Sequence, residues 1–141
     1  MNVAIGADHA GFAAKEEIKA VIKALGHVPV DKGTASEISV DYPDFAQEVS
    51  KSVLAGESER GVLICGTGIG MSIAANRNPG IRAAVICSEQ AAELSRRHND
   101  ANVFCAGARL TPIPRIAELL KIWLATPFEG GRHQRRIDKL K

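Results

Sequence analysis

Short apolar runs alternate with segments of helical periodicity along the whole of this 141-residue chain, and that alternation leaves few folds open. The runs Asn2–Ala7, His27–Val30, Gly61–Cys65, Ile81–Cys87 and Asn102–Ala106 read as short buried strands. Between them, Ala10–Leu25 carries Ala14, Ile18, Val21, Ile22 and Leu25 at helical spacing, with Gly26 as the stop. Pro43–Ala55 does the same with Phe45, Ala46, Val49 and Val53. A short helix running to Asn76, one from the cap Ser88 to Arg97, and one over Pro112–Ala125 with Ile116, Leu119, Leu120 and Trp123 inward complete the pattern. The tail from about Pro127 reads as a turn followed by a basic helix. Strands alternating with helices predict one α/β domain over residues 1–141, a Rossmann-like three-layer sandwich. Its sheet is expected to have five parallel strands and helices on both faces.

Composition narrows what such a domain does. Hydrophobic residues make up 45% of the chain, enough for a core that needs no disulfide or metal staple. Cys65, Cys87 and Cys105 are an odd number at wide spacing, which fits neither a disulfide framework nor a zinc site. They are expected to be reduced thiols in a cytoplasmic protein, with Cys87 and Cys105 placed in the core by their apolar surroundings. The first residues lack the basic flank of a signal peptide, and no segment is long and apolar enough for a membrane span. A net charge of +2 and few aromatic residues give no basis for nucleic-acid binding. Positive charge is nonetheless concentrated, since Arg132, Arg135, Arg136, Lys139 and Lys141 crowd the tail.

In doubly wound sheets ligands sit outside the carboxyl ends of the strands. Two motifs fall there: Asp8-His9 after the first strand, and Cys65-Gly-Thr-Gly-Ile-Gly70 after the third. The glycines leave backbone N–H groups free to face an anion, and a strand-end thiol beside them can act as a base or a nucleophile. The loop is neither a Walker A sequence nor GxGxxG, so alone it is a weak signal, with a tight turn without a ligand as the alternative. Asp8 could bind sugar hydroxyls with His9 on a phosphate, or it could cap the next helix and leave His9 merely exposed. His98, in the polar run Arg97-His-Asn-Asp100, is either solvated or a general acid. His27 reads as structural. Arg132 and Arg136 lie four apart, on one face of a helix, where two guanidinium forks suit a phosphate. Arg109, just after the fifth strand, is a further phosphate candidate on the same edge as the glycine loop. The alternative for the tail is a solvated basic terminus.

Taken together, Gly6-Ala-Asp-His-Ala-Gly11, Asp31-Lys-Gly-Thr34, Asp41-Tyr-Pro43, Cys65 to Gly70, Ser72-Ile-Ala-Ala-Asn76, His98-Asn-Asp100, Gly107-Ala-Arg109 and Gly130-Gly-Arg-His133 resemble the ribose-5-phosphate isomerase B family over essentially the whole chain. That family also includes galactose-6-phosphate isomerase subunits. The resemblance implies an aldose–ketose isomerase that interconverts ribose 5-phosphate and ribulose 5-phosphate, in the pentose phosphate pathway, with no metal and no organic cofactor. It implies Cys65 as the base between C2 and C1, His98 as the acid that opens the furanose, and Asp8 on sugar hydroxyls. The N–H groups of Gly66, Thr67, Gly68, Ile69 and Gly70, with the Thr67 hydroxyl, would stabilise the enediolate. His9, Arg109, Arg132 and Arg136 would bind phosphate, and Asn99 a sugar oxygen. Some members carry a glutamate base at the position of Met71, and methionine cannot do that work.

His98 precedes the fifth strand, whereas Cys65 ends the third. A strand of about five residues spans roughly 17 Å, so the two belong to opposite edges of one sheet. A homodimer, or a dimer of dimers, with sites shared between subunits would bring them together. A 6-phosphohexose such as allose or galactose 6-phosphate is the rival substrate, and a non-catalytic phosphosugar-binding protein is the rival of a different class.

Overall fold

The computed structural model describes residues 1–141. The elements follow in the expected order: β1 (Asn2–Ala7), α1 (Phe12–Ala24), β2 (Val28–Asp31), α2 (Tyr42–Leu54), β3 (Arg60–Cys65), α3 (Ile69–Ala75), β4 (Ala83–Val85), α4 (Glu89–Arg97), β5 (Val103–Gly107), α5 (Ile113–Ala125) and α6 (Arg132–Ile137). All the strands are parallel, in the order β2-β1-β3-β5-β4. The chain leaves β1 toward β2, then returns to the far side of β1 as β3, which makes the β1–β3 boundary the switch point of the sheet. Register brings the carboxyl ends level there, with Ala7 beside Ile64 and Cys65 beside Gly107.

Alternation along the inner strands divides the core between two faces. Val3, Ile5, Val62, Ile64 and Phe104 pack with Ile18, Ile22, Ile116, Leu119 and Trp123 beneath α1 and α5. Ala4, Leu63, Cys65, Val103 and Cys105 point the other way, onto Ala46 and Val49 of α2 and Met71 and Ala75 of α3. Helix α2 sits close to the sheet because Gly61 offers it no side chain: a Cβ there would lie 2.6 Å from Val49 Cγ1. The inward faces expected of α1, α2 and α5 are the observed ones, with Val21, Leu25, Phe45 and Val53 only partly covered at the margins.

Two expectations need correction. The fourth strand is shorter than Ile81–Cys87, because it is an edge strand whose ladder ends at Val85 opposite Cys105. Beyond it Ile86 turns inward, while Cys87 is exposed rather than part of the core. The cause is the start of α4: Ser88 takes extended backbone and its Oγ accepts the Ala91 N–H at 3.1 Å, so the chain has left the sheet by Cys87.

An ion cluster around the buried Lys15 ties α1 to the end of β2. The Lys15 ammonium, 1% exposed, donates to both oxygens of Asp31 at 2.8 Å and to Glu16 at 3.0 Å. Lys19 adds a contact to Asp31 at 2.7 Å. Burial alone would raise the Asp31 carboxyl, but Lys15, Lys19 and the Gly33 N–H together hold it down at about 2. No helix is long and apolar enough to cross a membrane.

Candidate active site

Cys65 ends β3 as an almost fully buried residue, and the chain turns sharply after it. The turn depends on Gly68, which has φ of +81° and whose Cβ position lies 2.9 Å from the Ala106 backbone of β5. Turned in this way, the Gly68 N–H donates to Cys65 Sγ at 3.1 Å. The Ile69 N–H goes to Thr67 Oγ1 at 3.2 Å. Two of the five N–H groups of this loop are therefore engaged locally, and those of Gly66, Thr67 and Gly70 have no partner within the chain. Such a loop offers a seat for an oxyanion next to a thiol. Cys105, lower on the same face, is fully buried; desolvation pushes its thiol well up, and Cys65 nearby adds to that. It belongs to the core. Met71 is also fully buried, against that same layer.

The first-strand motif reaches the same edge. Asp8 is buried, and its Oδ1 accepts the N–H groups of Ala10 at 3.0 Å and Gly11 at 3.2 Å, so it does cap the turn into α1. Its other oxygen makes no hydrogen bond within the chain. His9 Nδ1 accepts the Val40 N–H at 3.2 Å, which leaves the proton of the neutral ring on Nε2. Arg109 lies on the glycine loop: its N–H donates to Gly66 O at 3.0 Å, and its guanidinium packs where a Gly66 Cβ would be, 3.1 Å from Nη1. Tyr42, at the start of α2, rests its ring on Gly70 in the same way, at 2.8 Å. In the sequence Tyr42 stands only within the run Asp41-Tyr-Pro43, so its place beside the loop is a finding of the structure.

The remaining predicted residues lie elsewhere. His98 ends α4 at the amino edge of β5, Asn99 follows it exposed, and α6 brings Arg132 and Arg136 to the same end, both exposed. The His98 ring stacks on that of His133, with centroids 4.3 Å apart. The loop is braced by residues that the sequence left unassigned. Asp100 takes φ of +45°, a conformation aspartate tolerates better than most residues, and accepts Arg96 at 2.8 Å and Arg82 at 3.4 Å. Arg96 also donates to Ala101 O, and Arg82 to Asn99 O and Asp100 O. The only signal of this in sequence is an aspartate after two polar residues. His27 stands apart from these groups, with Nδ1 3.2 Å from the terminal amine.

The chain thus holds the predicted residues in two separate groups. Asp8, His9, Cys65–Gly70 and Arg109 gather at the carboxyl edge of the sheet; His98, Asn99, Arg132 and Arg136 gather at the amino edge. The chain has two clefts, and neither is lined by Cys65. The larger, of about 500 Å³, runs between Asn76–Ala84 and the last residues of the chain, with Asn99 on its wall. His98, Glu129 and His133 bring donor atoms within 4.8 Å of one another, but their rings are stacked with planes 16° from parallel. Lone pairs in parallel planes do not converge on an ion at the roughly 2 Å a zinc–imidazole bond needs.

A thiol among unpartnered backbone donors at the switch point, with Asp8 and Arg109 on the same edge of the sheet, marks a doubly wound α/β domain with a candidate small-anion site. Residues 3–140 match the family described as Ribose/Galactose Isomerase, and the chain belongs to that family of isomerases. It is 47% identical to ribose-5-phosphate isomerase B of Escherichia coli over 140 residues, covering 99% of this chain and 93% of that one. A putative sugar phosphate isomerase of Bacillus subtilis is also 47% identical, over 99% of this chain and 95% of its own. Among solved structures, ribose-5-phosphate isomerase B of Clostridium thermocellum superposes with a TM-score of 0.97 at 46% identity, over 99% and 94% of the two chains. The type B ribose 5-phosphate isomerase of Trypanosoma brucei gives 0.97 at 47% identity, over 99% and 96%.

Proposed function

We propose that the chain interconverts D-ribose 5-phosphate and D-ribulose 5-phosphate through an enediolate. The observation that carries this reading is the Cys65 thiol set in a loop with three unpartnered N–H groups. In an aldose–ketose isomerisation one proton leaves C2 and returns to C1, another moves between O2 and O1, and no electrons are lost. Such a reaction needs a base on one face of C1–C2 and donors for the developing oxyanion, and it calls on no metal or organic cofactor. Cys65 is the base, and Gly66, Thr67 and Gly70 supply the donors, with Gly68 holding the sulfur and Thr67 Oγ1 holding the Ile69 N–H. Asp8, with one oxygen left over from capping, takes the sugar hydroxyls. His98 gives its proton to the ring oxygen as the furanose opens, and Asn99 binds a sugar oxygen.

The phosphate falls to His9, Arg109, Arg132 and Arg136. Because these lie at opposite edges of one sheet, the complete site forms between subunits: the Cys65 half of one and the His98 half of another, in a two-fold homodimer or a dimer of dimers. The three free thiols suit a reducing cytoplasm. The test is conversion of ribose 5-phosphate and of allose and galactose 6-phosphates, with and without chelator, by wild type and Cys65→Ala. The pentose is the expected substrate and the chelator is expected to be without effect. Full activity in Cys65→Ala, or faster turnover of a hexose, overturns the assignment.

A further inference from the structure

His98 has a partner that neither the sheet nor the loop requires. Its imidazole lies face to face with that of His133 on α6, with centroids 4.3 Å apart and planes 16° from parallel. The two rings are unequally exposed: His133 is buried, while His98 is only partly covered. His133 therefore backs one face of the His98 ring, and His98 remains partly accessible.

The backing ring is itself held. Glu129 Oε2 lies 3.4 Å from His133 Nε2, an approach too poorly aligned for a hydrogen bond, so that buried nitrogen has no hydrogen-bond partner. Glu129 is tied in turn to the residue just before His98, for its N–H donates to Arg97 O at 3.1 Å and its Oε1 lies 3.7 Å from Arg97 Nε. The end of α4 thus anchors the segment that carries the ring stacked on it. From the other side, Arg82 and Arg96 pin Asp100 and with it the backbone that follows His98. Burial pushes the His133 imidazole below its ordinary range; His98, Arg132 and Arg136 push the same way, and Glu129 opposes them. His133 is thus held toward its neutral form.

We propose that His133 is a positioning residue for His98, fixing by its stacked ring the plane in which His98 presents a proton to the ring oxygen of a cyclic sugar phosphate. The proposal rests on the reading of His98 as the ring-opening acid. Loss of orientation is costly for such a transfer, since a displacement of about 1 Å at a reacting group can lower turnover about a hundredfold.

Ring opening is needed only when the aldose arrives as a furanose, and this separates a positioning role from a merely structural one. D-ribose 5-phosphate is to be compared with its 4-deoxy analogue, which lacks the hydroxyl that closes the ring, each variant being referred to wild type on the same substrate. His98→Ala is expected to lose about a hundredfold on the cyclic substrate, the usual scale for a general acid, and to keep near-wild-type turnover of the acyclic one. His133→Ala is expected to show the same selectivity with a loss of about tenfold. His133→Phe keeps a flat ring against His98 and should retain activity on both substrates. His133→Leu fills the site without a plane, so it should behave as His133→Ala and serves if the alanine variant does not fold. Equal loss on both substrates, or none, in the alanine or leucine variant overturns the positioning role even where His98→Ala is selective. Loss in His98→Ala that does not discriminate between the substrates overturns the ring-opening assignment itself, and the positioning role with it.

Discussion

The Gly68 N–H donates to the sulfur of Cys65, three residues earlier, at 3.1 Å. The contact fixes the thiol at the mouth of the loop. If Cys65 is the base, its loss removes the proton transfer and leaves binding in place. Cys65→Ala should lower kcat by about a hundredfold or more while KM changes little, the usual scale for a positioned base. Isomerisation followed from both directions checks this, and Cys65→Ser should be similarly impaired because a hydroxyl is a far weaker acid than a thiol.

Gly68 serves that geometry through its backbone. With φ of +81° and the Ala106 backbone 2.9 Å from its Cβ position, Gly68→Ala meets both a left-handed conformation and a strand that cannot move aside. The conformational cost alone is about 1–2 kcal/mol. The expected outcome is a chain that still folds, with lower thermal stability, and that loses activity out of proportion because the N–H no longer meets the sulfur. Calorimetry and turnover on the same preparation check both halves.

If the two half-sites come from different subunits, inactive chains should rescue each other. Cys65→Ala lacks the base and His98→Ala the acid, so a mixed dimer contains one site with both groups intact and one with neither. Mixing the two variants under conditions of subunit exchange should restore activity, approaching a quarter of the wild-type level when exchange is statistical. Exchange verified by mass labelling with no recovery of activity contradicts sharing.

The alternation of runs was enough to read the layers, because buried parallel strands and amphipathic helices have different periods. It was least informative at β4, where an edge strand with one neighbour gains little from continuing, and the apolar run Ile81–Cys87 went on past the point where pairing stopped. Cys87 consequently reads as core in sequence and is exposed in the fold. The Cys65 loop was legible because glycine spacing reports backbone demands directly. The bracing of His98 was not, since Arg82, Glu129 and His133 reach its loop from distant parts of the chain. Motif and site therefore diverge: the run His98-Asn-Asp100 names the residues, and tertiary packing alone shows that Asp100 holds the loop.

Arg132 and Arg136 present exposed guanidinium groups four residues apart on α6, with no ion-pair partner. Substituting either by alanine should remove a charge-assisted contact to phosphate, worth about 1.5–3 kcal/mol, and so raise KM by roughly ten- to a hundredfold. The effect of Arg132→Ala should shrink as salt is raised, because the wild type also loses part of that attraction. Steady-state kinetics at two ionic strengths check this; an unchanged KM in both variants removes these arginines from the phosphate site.

Acid sensitivity should arise at the end of β2, on the carboxyl edge of the sheet. Asp31 titrates near 2 in the folded chain, below an ordinary carboxyl, because Lys15, Lys19 and the Gly33 N–H outweigh its burial. A depressed folded-state value means that the unfolded chain binds the proton first as pH falls. The contribution of Asp31 is therefore complete above about pH 4 and is lost progressively between about 4 and 2. Asp31→Asn removes that dependence in advance and leaves the buried Lys15 ammonium with Glu16 as its remaining carboxylate. The variant should be less stable at neutral pH by about 2 kcal/mol, discounted from a fully buried pair because Asp31 is partly exposed, and the gap from wild type should close toward pH 2. Urea unfolding of both proteins between pH 7 and pH 2 measures the gap directly, and a difference that stays constant across that range contradicts the assignment to the Lys15–Asp31 pair.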